Sequence, residues 1–409
     1  MPDKGKKILI LGNGFDLAHG LPTKYSHFLE FCYGVEKIWA YGTSDEKHKN
    51  VSIKDVLVKE LYYMLTKMTP KEIYEITCKN PKLIELHRLL YDNIWYNYFI
   101  EIYRKNSMKG ENWIDFESEI RFIIKEVDQR SLSLTNLWED LLKEFMDPLT
   151  DFNLRIFCNK LTFDQYMIRK KWKSNHKITI KDFREKTFED LERLTRALEL
   201  YLTIFIEKIP VSQKIPEISN LSPDYVINFN YTDTYERIYK KENVYHIHGK
   251  ADMKRPANEN NMVLGIDEYW SEDERDERTN FTIFKKFAQR IQKHTGNESY
   301  KYLDEIQKLF KAGRNSWSGS VDLSKNHPDC VSHVYVFGHS LDVTDKDVLS
   351  SFIGDDSTSV TVYCMDKGTE RELIANTIKL IGEKKLLDKS NHVPPKLNYV
   401  ISKKRTYNT

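Results

Sequence analysis

Short apolar runs that stop abruptly at a glycine or a polar residue constrain the fold of this chain most. The first is Ile8–Leu11, which ends at Gly12. A strand of a parallel sheet is covered on both faces, so it is apolar throughout and does not alternate. Further strands are predicted at 225–229, 244–248, 334–338 and 359–364, and residues 262–265 form another short apolar run. Helical patterns lie between these runs, which predicts an α/β fold with a parallel, Rossmann-like sheet.

The texture of the chain changes between residues 49 and 210. Gly110 is the only glycine there, and apolar residues recur every three or four positions, most clearly over 191–205. This spacing predicts four or more helices, with similar patterns over 57–68, 86–103 and 134–161. Outside this region, helices are also predicted over about 272–312 and over 370–381, the latter stopped near Gly382. We therefore expect a sheet domain formed by 1–48 and 211–409, with 49–210 as a large all-helical insertion.

Composition excludes several classes of protein. Lys plus Arg is 63 and Asp plus Glu is 61, so the charge balance offers no overall attraction to nucleic acid or to a membrane surface. The five cysteines are widely spaced without a CxxC pair, which argues against a disulfide framework and a structural zinc site. No stretch approaches the ~20 apolar residues of a spanning helix, and the first apolar run is too short for a signal peptide. A soluble, cytoplasmic protein is expected.

The first candidate motif is Gly12–Asp16, directly after the opening strand. Glycines at a strand-to-helix turn let the backbone approach a ligand. Only two glycines are present, so the full dinucleotide fingerprint is not matched, and a tight turn explains the motif equally well. Asp16 would repel a pyrophosphate, so it is expected to cap the helix or to face a ribose hydroxyl or a nicotinamide amide.

The second candidate is Asn228–Asp233, at the carboxyl end of its predicted strand. Ligands of open α/β sheets bind at that end. Thr232 or Asp233 alone could cap the following helix, so the polar side chains exceed what a cap requires. Asn230 could orient a water or a ribose hydroxyl. The alternative is a capped helix with a buried, hydrogen-bonded asparagine.

The third candidate is His246–Lys250, in which His246 and His248 would share one face of a strand. Two histidines could bind a metal, but no third ligand is evident, so zinc is the weaker hypothesis. A histidine at the end of a strand is well placed as a general base, because its unperturbed pKa is near ~6.5. Two core or surface histidines are the alternative.

The fourth candidate is Gly338–Asp342, again after an apolar run. Gly338 permits close approach, and Ser340 and Asp342 can hydrogen-bond a ribose or cap a helix that begins near Thr344. The glycine that a nucleophile elbow needs two residues after the serine is missing, which disfavours a serine hydrolase. Four polar clusters at the ends of four predicted strands are difficult to explain by packing alone.

The order of these motifs resembles that of sirtuin-like NAD-binding domains: a glycine-rich loop, an Asn-containing motif, His-Gly and a Gly-x-Ser. More closely, Leu11–Tyr25 looks like the start of the bacterial AbiH family of phage abortive-infection proteins. Trp113–Glu117, Asn228–Asp233 and His246–Gly249 are also similar to that family. This resemblance covers most of the chain and implies a role in defence.

The sirtuin resemblance implies roles for individual residues. Asn230 would position a water or the nicotinamide ribose, and His248 would act as a base on a ribose hydroxyl. The residues expected to bind the dinucleotide are Gly12, Asn13, Gly14, Phe15, Asp16, Tyr231, Asp233, Gly338, His339, Ser340 and Asp342. The sirtuin zinc cysteines and an acyl-lysine groove are not evident, which argues against a deacylase. Asp16 departs from the neutral serine of the sirtuin loop, and Thr232 stands where many relatives have an acid.

These expectations amount to an NAD⁺ glycohydrolase of a phage-defence system that needs no cofactor and releases nicotinamide and ADP-ribose. One alternative is a nuclease or nucleotide hydrolase that uses Asp16, Asp233 and His248 with Mg²⁺. Another is a non-enzymatic sensor that binds a nucleotide. A phage-derived trigger and a homo-oligomer would suit a toxic hydrolase that stays silent until infection, although no residue indicates either.

Overall fold

The computed structural model describes most of the chain. The described residues are 6–41, 80–111, 113–131, 139, 143, 147, 150–164, 167–169, 178–211, 213–241, 244–275, 278–295, 304–305, 308 and 332–402. The helical pattern predicted over 57–68 lies outside them, as does part of the helical stretch predicted over 272–312.

A single six-stranded sheet is the core element of the fold, and all of its strands are parallel. Its strands are β1 (Lys7–Leu11), β2 (Tyr225–Asn228), β3 (Val244–His246), β4 (Ser332–Phe337), β5 (Thr358–Cys364) and β6 (Leu397–Ile401). Their order across the sheet is β3-β2-β1-β4-β5-β6. The predicted α/β class and the parallel sheet are therefore confirmed.

The central strand β1 is buried because both of its faces are covered. Ile10 pairs in register with Ile227 on one side and Val336 on the other, and all three side chains are fully buried. One apolar layer contains Ile8 and Ile10, and a second layer contains the alternate residues of β1. Each fully buried aliphatic side chain contributes about 1.5–3 kcal/mol of hydrophobic stabilisation, which explains the apolar run that the sequence showed.

Apolar runs do not identify every strand of the sheet, and one such run is not a strand. Residues 262–265 are buried but lie in a loop, and the nearest bridge, Ile266 with Lys285, is isolated. Burial without periodicity is common to strands and loops, so the apolar run alone was misleading. The strand β6 was missed because it is an edge strand with alternating exposure, where Leu397 is buried and Asn398 is exposed.

The helices cover the sheet and also form a separate body. In chain order they are α1 (Asn13–Ala18), α2 (Tyr25–Tyr41), α3 (Pro81–Leu90), α4 (Ile94–Met108), α5 (Phe116–Ser131), α6 (Phe152–Thr162), α7 (Ile180–Ile204), α8 (Pro216–Ser219), α9 (Thr234–Tyr239), α10 (Glu272–Arg275), α11 (Lys286–Gln292), α12 (Lys346–Ile353), α13 (Lys367–Ile381) and α14 (Glu383–Ser390). None of the described helices is both long and apolar enough to cross a membrane.

The chain divides into two compact units. The sheet unit comprises Met1–Leu21, Pro210–Lys250 and Arg290–Thr409, and the helical unit comprises Pro22–Ile209 and Ala251–Gln289. The domain boundaries expected near residues 48 and 210 stay predictions. All four candidate motifs belong to the sheet unit.

The helical unit has a core of its own around α7, which begins with a capping box at Thr179. Trp95 is fully buried, and its indole N–H donates to the Thr187 carbonyl oxygen at 2.7 Å. The predicted helix over 86–103 is in fact two helices. It breaks before Asn93, because the side chain of Asn93 caps α4 by accepting from the N–H of Tyr96.

Candidate functional site

The four candidate motifs converge at one edge of the sheet. Because all strands are parallel, their carboxyl ends lie at the same edge, and hydrogen bonds link the loops that follow β1, β2, β3 and β4. The N–H of Gly12 donates to the Phe337 carbonyl oxygen (3.1 Å), and the side chain of Asn230 donates to the Gly12 carbonyl oxygen (3.0 Å). His246 Nδ1 lies 2.9 Å from the Asn230 carbonyl oxygen. The four motifs together, Gly12–Asp16, Asn228–Asp233, His246–Lys250 and Gly338–Asp342, are called the carboxyl-edge cluster.

The glycines of two loops pack against each other where the strand order reverses, between β1 and β4. The N–H of Gly14 donates to the Gly338 carbonyl oxygen at 2.8 Å. Gly338 has a φ of +70°, and a Cβ atom built there would lie 2.2 Å from the backbone nitrogen of Phe15. A Cβ at Gly12 would lie 2.5 Å from the Cα of His339. These glycines therefore have a packing reason that is independent of any bound phosphate.

Two further members of the first motif lie in contrasting environments. Asn13 is exposed at the first turn of α1, whereas Phe15 is fully buried in the apolar layer beneath it. The Phe15 ring meets Phe337 edge-on, with 6.3 Å between the ring centroids, and meets His19 at 4.5 Å. Phe15 thus anchors the loop to the core, and its predicted contact with a dinucleotide stays a prediction.

Asp16 is a buried carboxylate within the carboxyl-edge cluster. The Thr232 hydroxyl donates to Asp16 Oδ2 at 2.7 Å, and the Thr234 hydroxyl donates to Thr232 Oγ1 at 3.1 Å. Burial raises the pKa of Asp16 to about 6, although the two hydroxyls and the charges of Arg237 and His246 act in the opposite direction. The expected capping role of Asp16 is not observed, because Gly12 occupies the N-cap position of α1 without a side-chain cap.

The second motif is held by its own asparagines. Asn228 Oδ1 accepts from the N–H of Asn230 at 3.0 Å, and Asn228 Nδ2 donates to the Thr232 carbonyl oxygen at 3.3 Å. Asn230 is buried and bridges to the loop after β1, as described above. Tyr231 and Asp233 are half-buried, and Asp233 occupies the N-cap position of α9 without a side-chain cap. Predicted contacts of these residues with a nucleotide stay predictions.

The two histidines of the third motif contact different elements. Strand β3 ends at His246, and Gly249 turns the chain with a φ of +79°, so His248 lies beyond the strand. His246 Nε2 and Lys250 Nζ both lie near Glu236 Oε1, at 2.8 and 3.1 Å. Burial acts to raise the pKa of Glu236, but the hydrogen bond and charge of His246 outweigh it and the net shift is downward. The expected shared face of the two histidines is therefore not observed.

His248 pairs with an aspartate that the sequence reasoning missed. His248 is buried, and its Nε2 lies 2.9 Å from Oδ1 of the buried Asp345. His339 Nε2 lies 3.6 Å from the other carboxylate oxygen of Asp345, and the N–H of Leu341 donates to His339 Nδ1 at 2.9 Å. The Phe229 ring stands edge-on to both imidazoles, at centroid distances of 5.5 and 4.4 Å. The result is one carboxylate facing two histidines.

The rest of the fourth motif lies at the start of the next helical turn. Asp342 Oδ1 accepts from the N–H of Thr344 at 3.0 Å, so Asp342 caps the 3₁₀ turn that follows, and its expected contact with the dinucleotide stays a prediction. Ser340 is exposed, and its carbonyl oxygen accepts from Asn376 at 2.9 Å. Asp345 is the last residue of the 3₁₀ turn that follows Asp342. The sequence signal that could have identified Asp345 is its position as a second aspartate, three residues after the capping Asp342.

Among the described residues, no group of three or more His, Cys, Asp or Glu side chains is arranged to hold a metal ion. Around the carboxyl-edge cluster, Asp16 accepts a hydrogen bond from a threonine hydroxyl, and Glu236 and Asp345 each lie beside an imidazole nitrogen. Such an arrangement can orient a base and accept hydrogen bonds from a polar ligand.

No curated protein and no solved structure matches the chain. The family model described as bacteriophage abortive infection AbiH matches residues 8–364, which include all four motifs. The match begins in β1 and ends with β5, so it spans most of the sheet and the whole described helical unit. The chain therefore belongs to the AbiH family of bacteriophage abortive-infection proteins.

Proposed function

We propose that the chain binds NAD⁺ at the carboxyl-edge cluster and hydrolyses its nicotinamide–ribose bond. The observation that carries this proposal is the pair formed by His248 and Asp345, with 2.9 Å between Nε2 and Oδ1. A carboxylate only accepts hydrogen bonds, so it holds the imidazole with its proton on Nε2 and the lone pair on Nδ1. A histidine oriented in this way is suited to act as a general base.

The strand order supports a dinucleotide as the ligand. The order β3-β2-β1-β4-β5-β6 is that of Rossmann-type dinucleotide-binding sheets, whose ligands lie where the order reverses, at the carboxyl ends of the strands. The loops after β1 and β4 flank that point. Asn230 follows β2, which pairs with β1, and His248 follows β3, which pairs with β2. The sirtuin-like order of the four motifs supports the same ligand.

The proposed reaction uses the chain's own residues for proton transfer and positioning. The bond between C1′ of the ribose and the nicotinamide nitrogen breaks, and nicotinamide leaves with the bonding electrons. Water forms the new bond to C1′, and its proton passes to Nδ1 of His248 and then to solvent. Asn230, fixed through Gly12, positions the ribose or the water. The products are nicotinamide, ADP-ribose and one proton.

Membership of an abortive-infection family supports this reaction as a means of defence. Removal of NAD⁺ would arrest the metabolism of an infected cell before phage can multiply. The proposal includes a phage-derived trigger and assembly into a homo-oligomer, so that the hydrolase stays inactive until infection.

The experiment compares wild-type protein with His248→Gln, Asp345→Asn and the double variant His248→Ala, Asn230→Ala, following nicotinamide release with and without EDTA. Loss of a general base typically lowers turnover 10²–10⁴-fold, and we expect a loss on that order in each variant. His87→Gln is the matched control, because His87 pairs with Glu36 at 2.7 Å in the helical unit. Turnover abolished by EDTA would instead favour the Mg²⁺-dependent alternative, and full turnover in the double variant would refute the proposal.

A further inference from the structure

Asp16 differs from the other deeply buried aspartates in how little its carboxylate is bonded. Its relative exposure is 1%. One oxygen accepts from the Thr232 hydroxyl, and the other, Oδ1, has no hydrogen-bond partner among the described residues. In contrast, the carboxylate of Asp190 forms ion pairs with Lys186 at 2.9 Å and with Arg193 at 2.7 Å, and it accepts a hydrogen bond from the N–H of Ile94 at 2.8 Å. Asp190 is bonded as a structural carboxylate, and Asp16 is not.

A buried carboxylate in this state opposes folding. Removing an ionised group from water is costly unless pairing and hydrogen bonds compensate for it. The pKa of Asp16 rises from 3.8 to about 6, chiefly through burial, despite the Thr232 and Thr234 hydroxyls and the charges of Arg237 on α9 and His246 at the end of β3. The helix α1 does not use Asp16 as a cap. Capping of α1 therefore does not require an acid at this position.

We propose that Asp16 is the ligand-facing carboxylate of the carboxyl-edge cluster, and that its Oδ1 receives a hydroxyl or amide N–H donor of the bound nucleotide. The identity of the ligand as NAD⁺ rests on the proposed function. A donor stabilises the ionised form of the carboxylate, so ligand binding near pH 6 drives the proton off. Affinity for the nucleotide consequently increases as the pH rises from 5 to 7.

The first test measures stability against pH without any ligand. The raised pKa means that folded Asp16 keeps its proton up to about pH 6, whereas unfolded Asp16 loses it near 3.8. Wild-type protein therefore loses stability as the pH rises through this window, and Asp16→Asn does not. Two pKa units correspond to about a hundredfold in the unfolding equilibrium constant. Because unfolded Asp16 is already about half ionised at pH 4, we expect the unfolding equilibrium constant of Asp16→Asn to fall about 50-fold relative to that of wild type between pH 4 and pH 7.5.

The matched control is Asp388→Asn, which makes the same chemical change at an exposed position of α14. Its difference from wild type should not vary with pH in this window. A pH-independent difference for Asp16→Asn as well would overturn the inference. If Asp16→Asn does not fold, Thr232→Val provides the second variant. Removing the donor raises the Asp16 pKa further, so Thr232→Val should lose more stability at pH 7.5 than at pH 4, and an equal loss at both would overturn the inference.

The second test is calorimetric titration with NAD⁺ at pH 6 in two buffers of different ionisation enthalpy. Wild-type protein should release up to about half a proton per NAD⁺ bound, and Asp16→Asn should release none and bind more weakly. NAD⁺ binding with no proton release and equal affinity in both proteins would overturn the role of Asp16 and leave the proposed function standing. No NAD⁺ binding, together with the pH-dependent stability gain, would contradict the proposed function while supporting Asp16 as the carboxylate of a different ligand.

Discussion

Gly338 shows at the level of one residue how the two loops at the centre of the sheet depend on each other. Its φ of +70° strains any other L-residue, and an added Cβ would overlap the Phe15 backbone nitrogen at 2.2 Å. We expect Gly338→Ala to lower the free energy of unfolding by about 2–6 kcal/mol, the sum of backbone strain and overpacking. Urea denaturation followed by circular dichroism measures the change.

Gly20→Ala separates the two contributions. Gly20 has a similar φ of +76°, but an added Cβ there meets nothing within 4 Å. Strain alone should cost about 1–2 kcal/mol. An equal loss in both variants would show that the contact between the loops after β1 and β4 does not restrict position 338.

Sequence reasoning identified the motifs at this scale but not their partners. His248 and Asp345 are 97 positions apart, and Asp16 and Thr232 are 216 apart. No local pattern reports such contacts. The motif positions were predictable because apolar runs predict strands and parallel strands end at one edge, whereas the pairing of side chains depends on loop conformation and rotamers.

Among the helices, α7 carries a buried ion-pair network. Lys186 lies 3.0 Å from Asp164 and 2.9 Å from Asp190, and all three side chains are buried. Lys186→Met would leave the buried Asp164 without its cation and Asp190 with Arg193 alone, and we expect a loss of about 3–5 kcal/mol in unfolding free energy. Lys181→Met on the same helix removes an exposed lysine and should change stability by less than about 0.5 kcal/mol. Similar losses in the two variants would contradict the structural role of Lys186.

The helix α14 holds a buried lysine that makes the stability of the sheet unit depend on pH. Lys389 Nζ donates to the Asp355 carbonyl oxygen at 2.6 Å and to the Thr358 hydroxyl at 3.0 Å, and burial lowers its pKa to about 8. The folded protein thus releases this proton near pH 8 and the unfolded chain near 10.4, so this lysine's contribution to stability increases between those values.

Lys389→Met removes that dependence. Between pH 7.5 and pH 10 we expect wild type to gain about 2 kcal/mol relative to the variant, measured by denaturant unfolding at each pH. The exposed Lys384 on the same helix supplies the control, Lys384→Met. A constant difference between wild type and Lys389→Met across this range would show that Lys389 titrates normally in the folded state.

Element boundaries were predictable where periodicity was unambiguous. The helix expected to stop near Gly382 ends at Ile381, with Gly382 as its C-cap at a φ of +83°. The edge strand β6 was not predicted, since its exposed positions weaken the apolar signal. Residues 262–265 show that burial in a loop produces the same short apolar run as a buried strand.

At the scale of the whole molecule, the α/β class and the parallel sheet followed from the alternation of apolar runs and helical patterns. The change of texture over 49–210 predicted a helical insertion in a sheet domain, and those boundaries stay predictions. Helix α2 belongs to the helical unit although it immediately follows the first motif in sequence, and residues 251–289 return to that unit late in the chain. Such returns are set by packing between distant segments.

The most direct test of the central claim is a single-turnover assay with protein in excess over NAD⁺, in the presence of EDTA. If the carboxyl-edge cluster is an NAD⁺ glycohydrolase site, nicotinamide and ADP-ribose form in equal amounts, and His248→Gln slows their release at least about 10²-fold. Recovery of intact NAD⁺ from wild-type protein, or equal release by wild type and His248→Gln, would contradict the claim.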